Sequence, residues 1–247
     1  MAQHYLWSTI GGVLVFLSSS MSIASAKYIK GTIVKNVDGD TVWIEPAGTA
    51  RPPQWVTAKA EKSTLKIRMI GIDTPETHLP TTDHGVVGQG HWGDDAADML
   101  AKKLPIGSKV VLEDQGRDKY GRTLGRIFLV NSDINLAMVA SGWATPYIIC
   151  TGSSCDEGFF EREHVAKYIS ACEAAEKAGR GIFDKKSPLK EMPFEFRLRM
   201  QGRKADKWVG YFETGELYTP KDYKKIPVCQ RIFFMTQQDA TNAGFGF

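Results

Sequence analysis

Polar and apolar side chains alternate along residues 66–72, Lys66-Ile67-Arg68-Met69-Ile70-Gly71-Ile72, a strand-like run that stops abruptly at Asp73-Thr74-Pro75-Glu76. Period-2 runs of the same kind predict strands over residues 28–35, 41–45, 109–113 and 124–130, and an extended segment over 145–149. Helical spacing appears over 94–104, where Ala97, Leu100, Ala101 and Leu104 form a stripe that Pro105 ends. A short helix follows over 134–141, and a longer one over 160–178 sets Phe160, His164, Tyr168, Cys172 and Ala175 on one face, with Gly179 placed to cap it. Five strands with a long helix last predict a mainly β fold, a small closed barrel carrying about three helices.

Beyond residue 187 the character changes. Phe194, Phe196, Leu198 and Met200 alternate with Glu195, Arg197 and Arg199, which predicts a half-buried strand, and residues 208–212 and 228–235 predict two more. The division is therefore a domain over 27–187 followed by a small β-rich C-terminal extension over 188–247.

Residues 1–26 contain no Asp, Glu, Lys or Arg, and an apolar centre over 10–17 runs into Ala24-Ser25-Ala26. That is the pattern of a signal peptide cleaved after Ala26. The rival is an uncleaved anchor, but the apolar centre is shorter than the roughly 20 residues a spanning helix needs. The expectation is a secreted or periplasmic monomer without stable membrane association. Four cysteines, Cys150, Cys155, Cys172 and Cys229, all follow the cleavage point. An even number in an exported chain predicts two disulfides, with all three pairings open.

Net charge refines this little. The chain carries +3, all of it contributed by the extension beyond residue 187. That neither demands nor opposes a polyanionic partner. His78, His84 and His91 are spaced by six and seven residues and share no helix or strand face, which argues against a histidine metal site.

Three stretches carry candidate chemistry. Pro75 forces Thr74 into an extended conformation, leaving Asp73, the Thr74 carbonyl and Glu76 at one tight turn. Arg68 is an unusual cation among apolar strand residues. Asp38-Gly39-Asp40-Thr41 reads as a hairpin turn in which Gly39 supplies a positive φ. Asp118-Lys119-Tyr120-Gly121-Arg122 offers a point charge, a ring and a planar fork, suited to a phosphate and its attached base. Arg68 and Asp73 stand five residues apart, about 16 Å if extended, so both serve one phosphate only where the strand curls, and Gly71 is the residue that permits it.

In order and internal spacing, Val37-Asp38-Gly39-Asp40-Thr41-Val42, Arg68 through Glu76, and Asp118 through Arg122 resemble the three signature segments of the staphylococcal nuclease (thermonuclease) family. The resemblance runs over about residues 28–184. It implies a five-stranded OB-type barrel and calcium-dependent hydrolysis of DNA and RNA. It implies calcium ligands at Asp40, Asp73 and the Thr74 carbonyl, and catalytic groups at Arg68, Glu76 and Arg122. Lys119 and Tyr120, by the charge and ring they offer, are the expected nucleic-acid contacts. Tyr147 matches a substrate-stacking tyrosine only after a one-residue deletion, and the second such tyrosine is Ile149 here. The competing function is a catalytically inactive OB-type module that binds nucleic acid, which would have lost the arginines or the glutamate.

Overall fold

A computed structural model of the chain describes residues 27–48, 64–81, 85–151 and 161–247. Residues 1–26, expected as a signal peptide, His84, Cys155 and most of the loop before the third strand lie outside the described residues. Among the described residues, no helix is long and apolar enough to cross a membrane.

The chain opens with β1 (Lys27–Asp38), which turns into β2 (Thr41–Pro46), and β2 pairs with β3 (Leu65–Met69). β4 (Gly71–Asp73) follows, then a small hairpin of β5 (Leu79–Pro80) and β6 (Val86–Val87), then α1 (His91–Lys103). β7 (Lys109–Arg117) and β8 (Thr123–Leu129) form a second hairpin, and β9 (Ser132–Asp133) leads into α2 (Ile134–Ala140). β10 (Thr145–Cys150) and α3 (Arg162–Ala178) complete the first domain. The tail adds α4 (Pro193–Met200), β11 (Trp208–Tyr211), β12 (Leu217–Tyr218), β13 (Arg231–Phe234) and α5 (Gln237–Asn242).

Five strands in the order β3-β2-β1-β7-β8 close on themselves through a parallel β3–β8 pairing, Ile67 to Thr123 and Met69 to Gly125. Closure removes the sheet edges, and alternate side chains fill the inside: Ile33, Val42, Ile44, Ile67, Met69, Leu112 and Ile127 are fully buried. This is the expected five-stranded OB-type barrel, and α1, α2 and α3 are the three expected helices. Gly179 caps α3 in the left-handed conformation, φ 68° and ψ 39°.

The strand-like run over residues 66–72 does not continue as one strand. Gly71 takes φ +74°, so β4 leaves the barrel and pairs antiparallel with β10, Asp73 opposite Thr145. Buried Asn135 fixes the break: its amide donates to the Ile70 carbonyl at 2.9 Å, and its oxygen accepts the Ile127 N–H at 3.1 Å.

The tail differs from the expectation in two ways. Residues expected as its first strand form the helix α4, so the tail carries three strands together with two α-helices. Alternation survives in the burial pattern because α4 is covered on two sides, Phe194 and Leu198 against one cluster and Phe196 also buried. The helix carries its own signals, Pro193 in the first turn, Glu195 near the start, and Arg197 and Arg199 near the end. The strands expected over 208–212 and 228–235 are present as β11 and β13. They extend β4 and β10 into one sheet, β12-β11-β13-β10-β4, with β13 parallel to β10. A disulfide between Cys172 of α3 and Cys229 just before β13 ties tail to barrel domain. Cys150 is disulfide-bonded as well.

Candidate active site

At one end of the barrel the β1–β2 turn meets the β3–β4 break. Thr41 pairs with Arg68, and the Met69 N–H donates to the Asp40 carbonyl at 2.8 Å, so backbone pairing alone sets Asp40 beside Arg68. Asp40 Oδ2 accepts from the Thr74 N–H at 3.3 Å and the Thr74 hydroxyl at 3.1 Å, and it forms an ion pair with Arg68 Nη1. The second Arg68 nitrogen, Nη2, reaches Asp73 Oδ1 at 3.2 Å and the Ile72 carbonyl at 3.4 Å. The curl at Gly71 thus joins two residues that an extended strand would hold far apart.

Gly39 does a different job from the one its sequence suggests. It is not among the positive-φ glycines. A Cβ there would lie 2.7 Å from the Thr74 hydroxyl oxygen and 3.0 Å from Ala96 Cβ. Close approach of the turn to Thr74 and α1, rather than a left-handed turn, is what requires glycine.

The carboxylates are deeply buried, Asp73 at 0% exposure and Asp40 at 7%. Burial alone would raise the Asp40 pKa, but the Arg68 guanidinium outweighs it and the net shift is downward. Burial, with Asp40 beside it, pushes Asp38 up to about 7. Glu76 is also raised, chiefly by burial and against the pull of Arg197. The Arg68 guanidinium is held charged, burial notwithstanding, by Asp40 and Asp73.

Arg197, from α4, was missed by sequence reasoning. Its Nη1 donates to Asp73 Oδ1 at 2.6 Å and to Glu76 Oε1 at 2.7 Å, and its Nη2 donates to Asp73 Oδ2 at 2.8 Å. No local pattern announces this, because the partners lie more than 120 residues away. The one available signal was an arginine between apolar residues of a helix starting at Pro193.

Of the remaining expected residues, Arg122, Lys119 and Tyr120 lie on the β7–β8 turn, and Tyr147 lies against Arg197. Arg122 donates through Nε to Asp118 at 2.7 Å, immediately before the β8 residue that pairs with Ile67 of β3. Tyr120 is exposed, with Lys119 Nζ 5.2 Å and the Arg122 guanidinium 5.7 Å from its ring centre. Tyr147 is covered by the tail: Phe233 and Phe194 pack 4.9 and 5.7 Å from its ring, and the Arg197 guanidinium lies 5.4 Å above it. Burial raises its hydroxyl pKa to about 12.

Among the described residues, no three His, Cys, Asp or Glu side chains converge as a ready metal cage. What converges is two buried carboxylates and the Thr74 backbone, hard oxygen donors now neutralised by guanidinium groups. Such a set suits a hard cation that keeps water and shares a substrate oxygen.

Fold and site together define the class, a closed five-stranded OB-type barrel with arginines and carboxylates gathered at one strand break. Comparison with known proteins makes the class specific: the staphylococcal nuclease homologue family matches residues 66–185, and the chain belongs to the staphylococcal nuclease family. It is 32% identical over 219 residues to Endonuclease YhcR of Bacillus subtilis, covering 87% of this chain and 16% of that protein. It is 29% identical over 205 residues to Probable endonuclease LCL3 of Uncinocarpus reesii, 76% of this chain and 64% of that one. With a Thermonuclease of Staphylococcus intermedius it shares 29% identity over 141 residues, 56% of this chain and 70% of the relative. The chain thus spans a small part of YhcR and under two thirds of LCL3. The YhcR match is too long to be contained in residues 1–187, so it extends into the tail.

Proposed function

We propose that the chain is an exported, calcium-dependent nuclease that hydrolyses phosphodiester bonds of DNA and RNA. The observation that carries this is the meeting of Arg68, Asp40, Asp73 and Thr74 at the strand break, with Glu76 linked to Asp73 through one guanidinium. Family membership and relatives named as endonucleases and thermonuclease support it. The charge-free leader and the disulfides support export.

Asp40 and Asp73 through their carboxylates and Thr74 through its carbonyl would hold the ion. Calcium, when bound, supplies charge stabilisation at the phosphoryl group. Arg68 and Arg122 hold the non-bridging phosphate oxygens in bidentate fashion as negative charge grows on them. Glu76, whose pKa burial has raised, accepts or orients the proton of the attacking water. Lys119 and Tyr120 meet the nucleic acid beside the cluster, a charge for phosphate and an exposed ring for a base.

Digestion of plasmid DNA and of RNA with calcium, with magnesium and with chelator tests this. Cleavage of both with calcium, little with magnesium and none in chelator is expected. Full cleavage in chelator, or none in calcium by folded, disulfide-intact protein, overturns it in favour of a binding module.

A further inference from the structure

The charge on the cluster does not balance. Among the ion-paired groups, Asp40, Asp73 and Glu76 bring three negative charges to the strand break and Arg68 and Arg197 two positive ones, with the Asp38 carboxyl, pushed up to about 7, beside Asp40. A divalent cation would reverse the sign and leave one positive charge, the complement of one phosphodiester. The cation, however, requires the Asp73 oxygens that Arg197 now holds.

Arg197 cannot simply withdraw. α4 is seated by Phe194 and Leu198 in a cluster with Val209, Tyr223, Ile226 and Phe233. Phe233 belongs to the strand paired with β10, and the Cys172–Cys229 disulfide fastens the same strand to α3. The guanidinium is confined between the ring of Tyr147 and the carboxylates. When a cation takes Asp73, Nη1 keeps Glu76 and Nη2 is released, so a phosphate bound at that cation becomes the second anion within reach of a planar fork whose N–H groups suit phosphate oxygens.

Resting on the calcium-nuclease reading above, we propose that Arg197 is a third active-site arginine, a catalytic residue carried by the C-terminal tail that binds the scissile phosphate. The tail is then part of the active site as well as a cover over the barrel domain.

Full-length, disulfide-intact protein and its Arg197→Ala and Arg197→Lys variants would be compared in three measurements. These are calcium affinity by calorimetry, affinity of the calcium-loaded protein for a phosphorothioate-linked oligonucleotide, and kcat at saturating calcium. Arg197→Ala should bind calcium as tightly as the parent or more tightly. Its oligonucleotide affinity should fall about 10- to 100-fold and its kcat about 100- to 1000-fold. Arg197→Lys, which keeps the charge without the fork, should lie between, and it decides the matter if the alanine variant does not fold. A variant with tighter calcium binding and kcat equal to or above the parent would make Arg197 a mere occupant of the cation's place and overturn the proposal. If the parent itself neither binds calcium nor cleaves, the nuclease reading fails and takes this proposal with it. Equal cleavage by parent and variants overturns the Arg197 assignment alone.

Discussion

Arg197 spans both carboxylate oxygens of Asp73, at 2.6 and 2.8 Å, across a sequence separation of 124 residues. Tail and barrel domain therefore share a site as well as a sheet. An Arg–carboxylate pair this deeply placed is sensitive to small displacements of the helix that carries it.

The disulfide should matter to that placement. Cys172 and Cys229 are separated by 57 residues, a loop whose closure typically contributes about 2–5 kcal/mol. Replacing both by serine should lower stability by an amount in that range, measured by denaturant unfolding without reductant. Truncation after residue 187 should cost more, because it strips β13 from β10 and uncovers Tyr147. A truncated protein that melts like the parent would show that the tail does not support the barrel domain.

Much of this was legible in the sequence because it is local. Strand alternation, the Gly179 cap, the interruption at Gly71 and the grouping of Asp73, Thr74 and Glu76 around Pro75 all follow from neighbours within a few residues. The tail misled for a physical reason: seven alternating residues fit a helix covered on two sides as well as a strand, and only packing against β13 decides between them. Gly39 misled similarly, since Asp-Gly between strands signals a turn while the contact that requires glycine is with Thr74, 35 positions on. The role of Arg197 was not legible because its partners lie more than 120 residues away and meet it only when the tail packs on the barrel domain.

Asn135 should prove costly to change. Fully buried, it serves the Ile70 carbonyl, the Ile127 N–H and, at 3.3 Å, the Gly125 carbonyl. Asn135→Ala leaves buried backbone groups without partners, each worth about 1–3 kcal/mol, beside the break that positions Arg68 and Asp73. A loss of at least about 2 kcal/mol in denaturant unfolding, with reduced activity, is expected. Loss of activity at unchanged stability would point to a direct role instead.

Arg68 and Arg122 should separate by stability though both serve the phosphate. Either alanine variant should lose about 100- to 1000-fold in kcat. Arg68→Ala also leaves buried Asp40 without its cation, Asp73 keeping Arg197, and should unfold more easily in chelator, whereas Arg122→Ala loses its pair with Asp118 and its contact with the exposed Tyr120 ring and should melt within about 1 kcal/mol of the parent. Calcium should restore much of the stability lost by Arg68→Ala; the same thermal shift for both variants would contradict the cluster described.

Asp118 sets the pH range over which the Arg122 turn is held. Burial alone would raise its pKa, but the Arg122 side chain and the backbone N–H groups of Arg122 and Tyr120 outweigh it, so the folded value lies below the ordinary 3.8. A depressed carboxylate contributes its stabilisation above the unfolded value and loses it as pH falls through the folded one. The turn should therefore keep its contacts unchanged from pH 8 to about pH 5 and release Arg122 only under strong acid. An NMR titration of the Asp118 carboxyl carbon should give a midpoint below 3.8; a midpoint at or above that value would contradict the turn geometry.

Gly39 offers the most selective probe of the cation site, because it touches the ligand set without belonging to it. A methyl group at this position would press on Thr74, 2.7 Å from its hydroxyl oxygen and 2.8 Å from its Cβ, and on Ala96 behind it. Thr74 is the residue whose N–H and hydroxyl hold Asp40 Oδ2, so its displacement loosens a carboxylate that the cation would use. Overpacking of this kind costs about 1–3 kcal/mol, and a tenfold change in affinity corresponds to about 1.4 kcal/mol. Gly39→Ala should therefore weaken calcium binding about tenfold or more in calorimetry while the far-ultraviolet spectrum of the barrel is retained. Gly246→Ala, where an added Cβ meets nothing within 4 Å, supplies the control and should bind calcium as the parent does. Equal calcium affinity in parent and Gly39→Ala would mean that Thr74 and Asp40 do not form the cation site together.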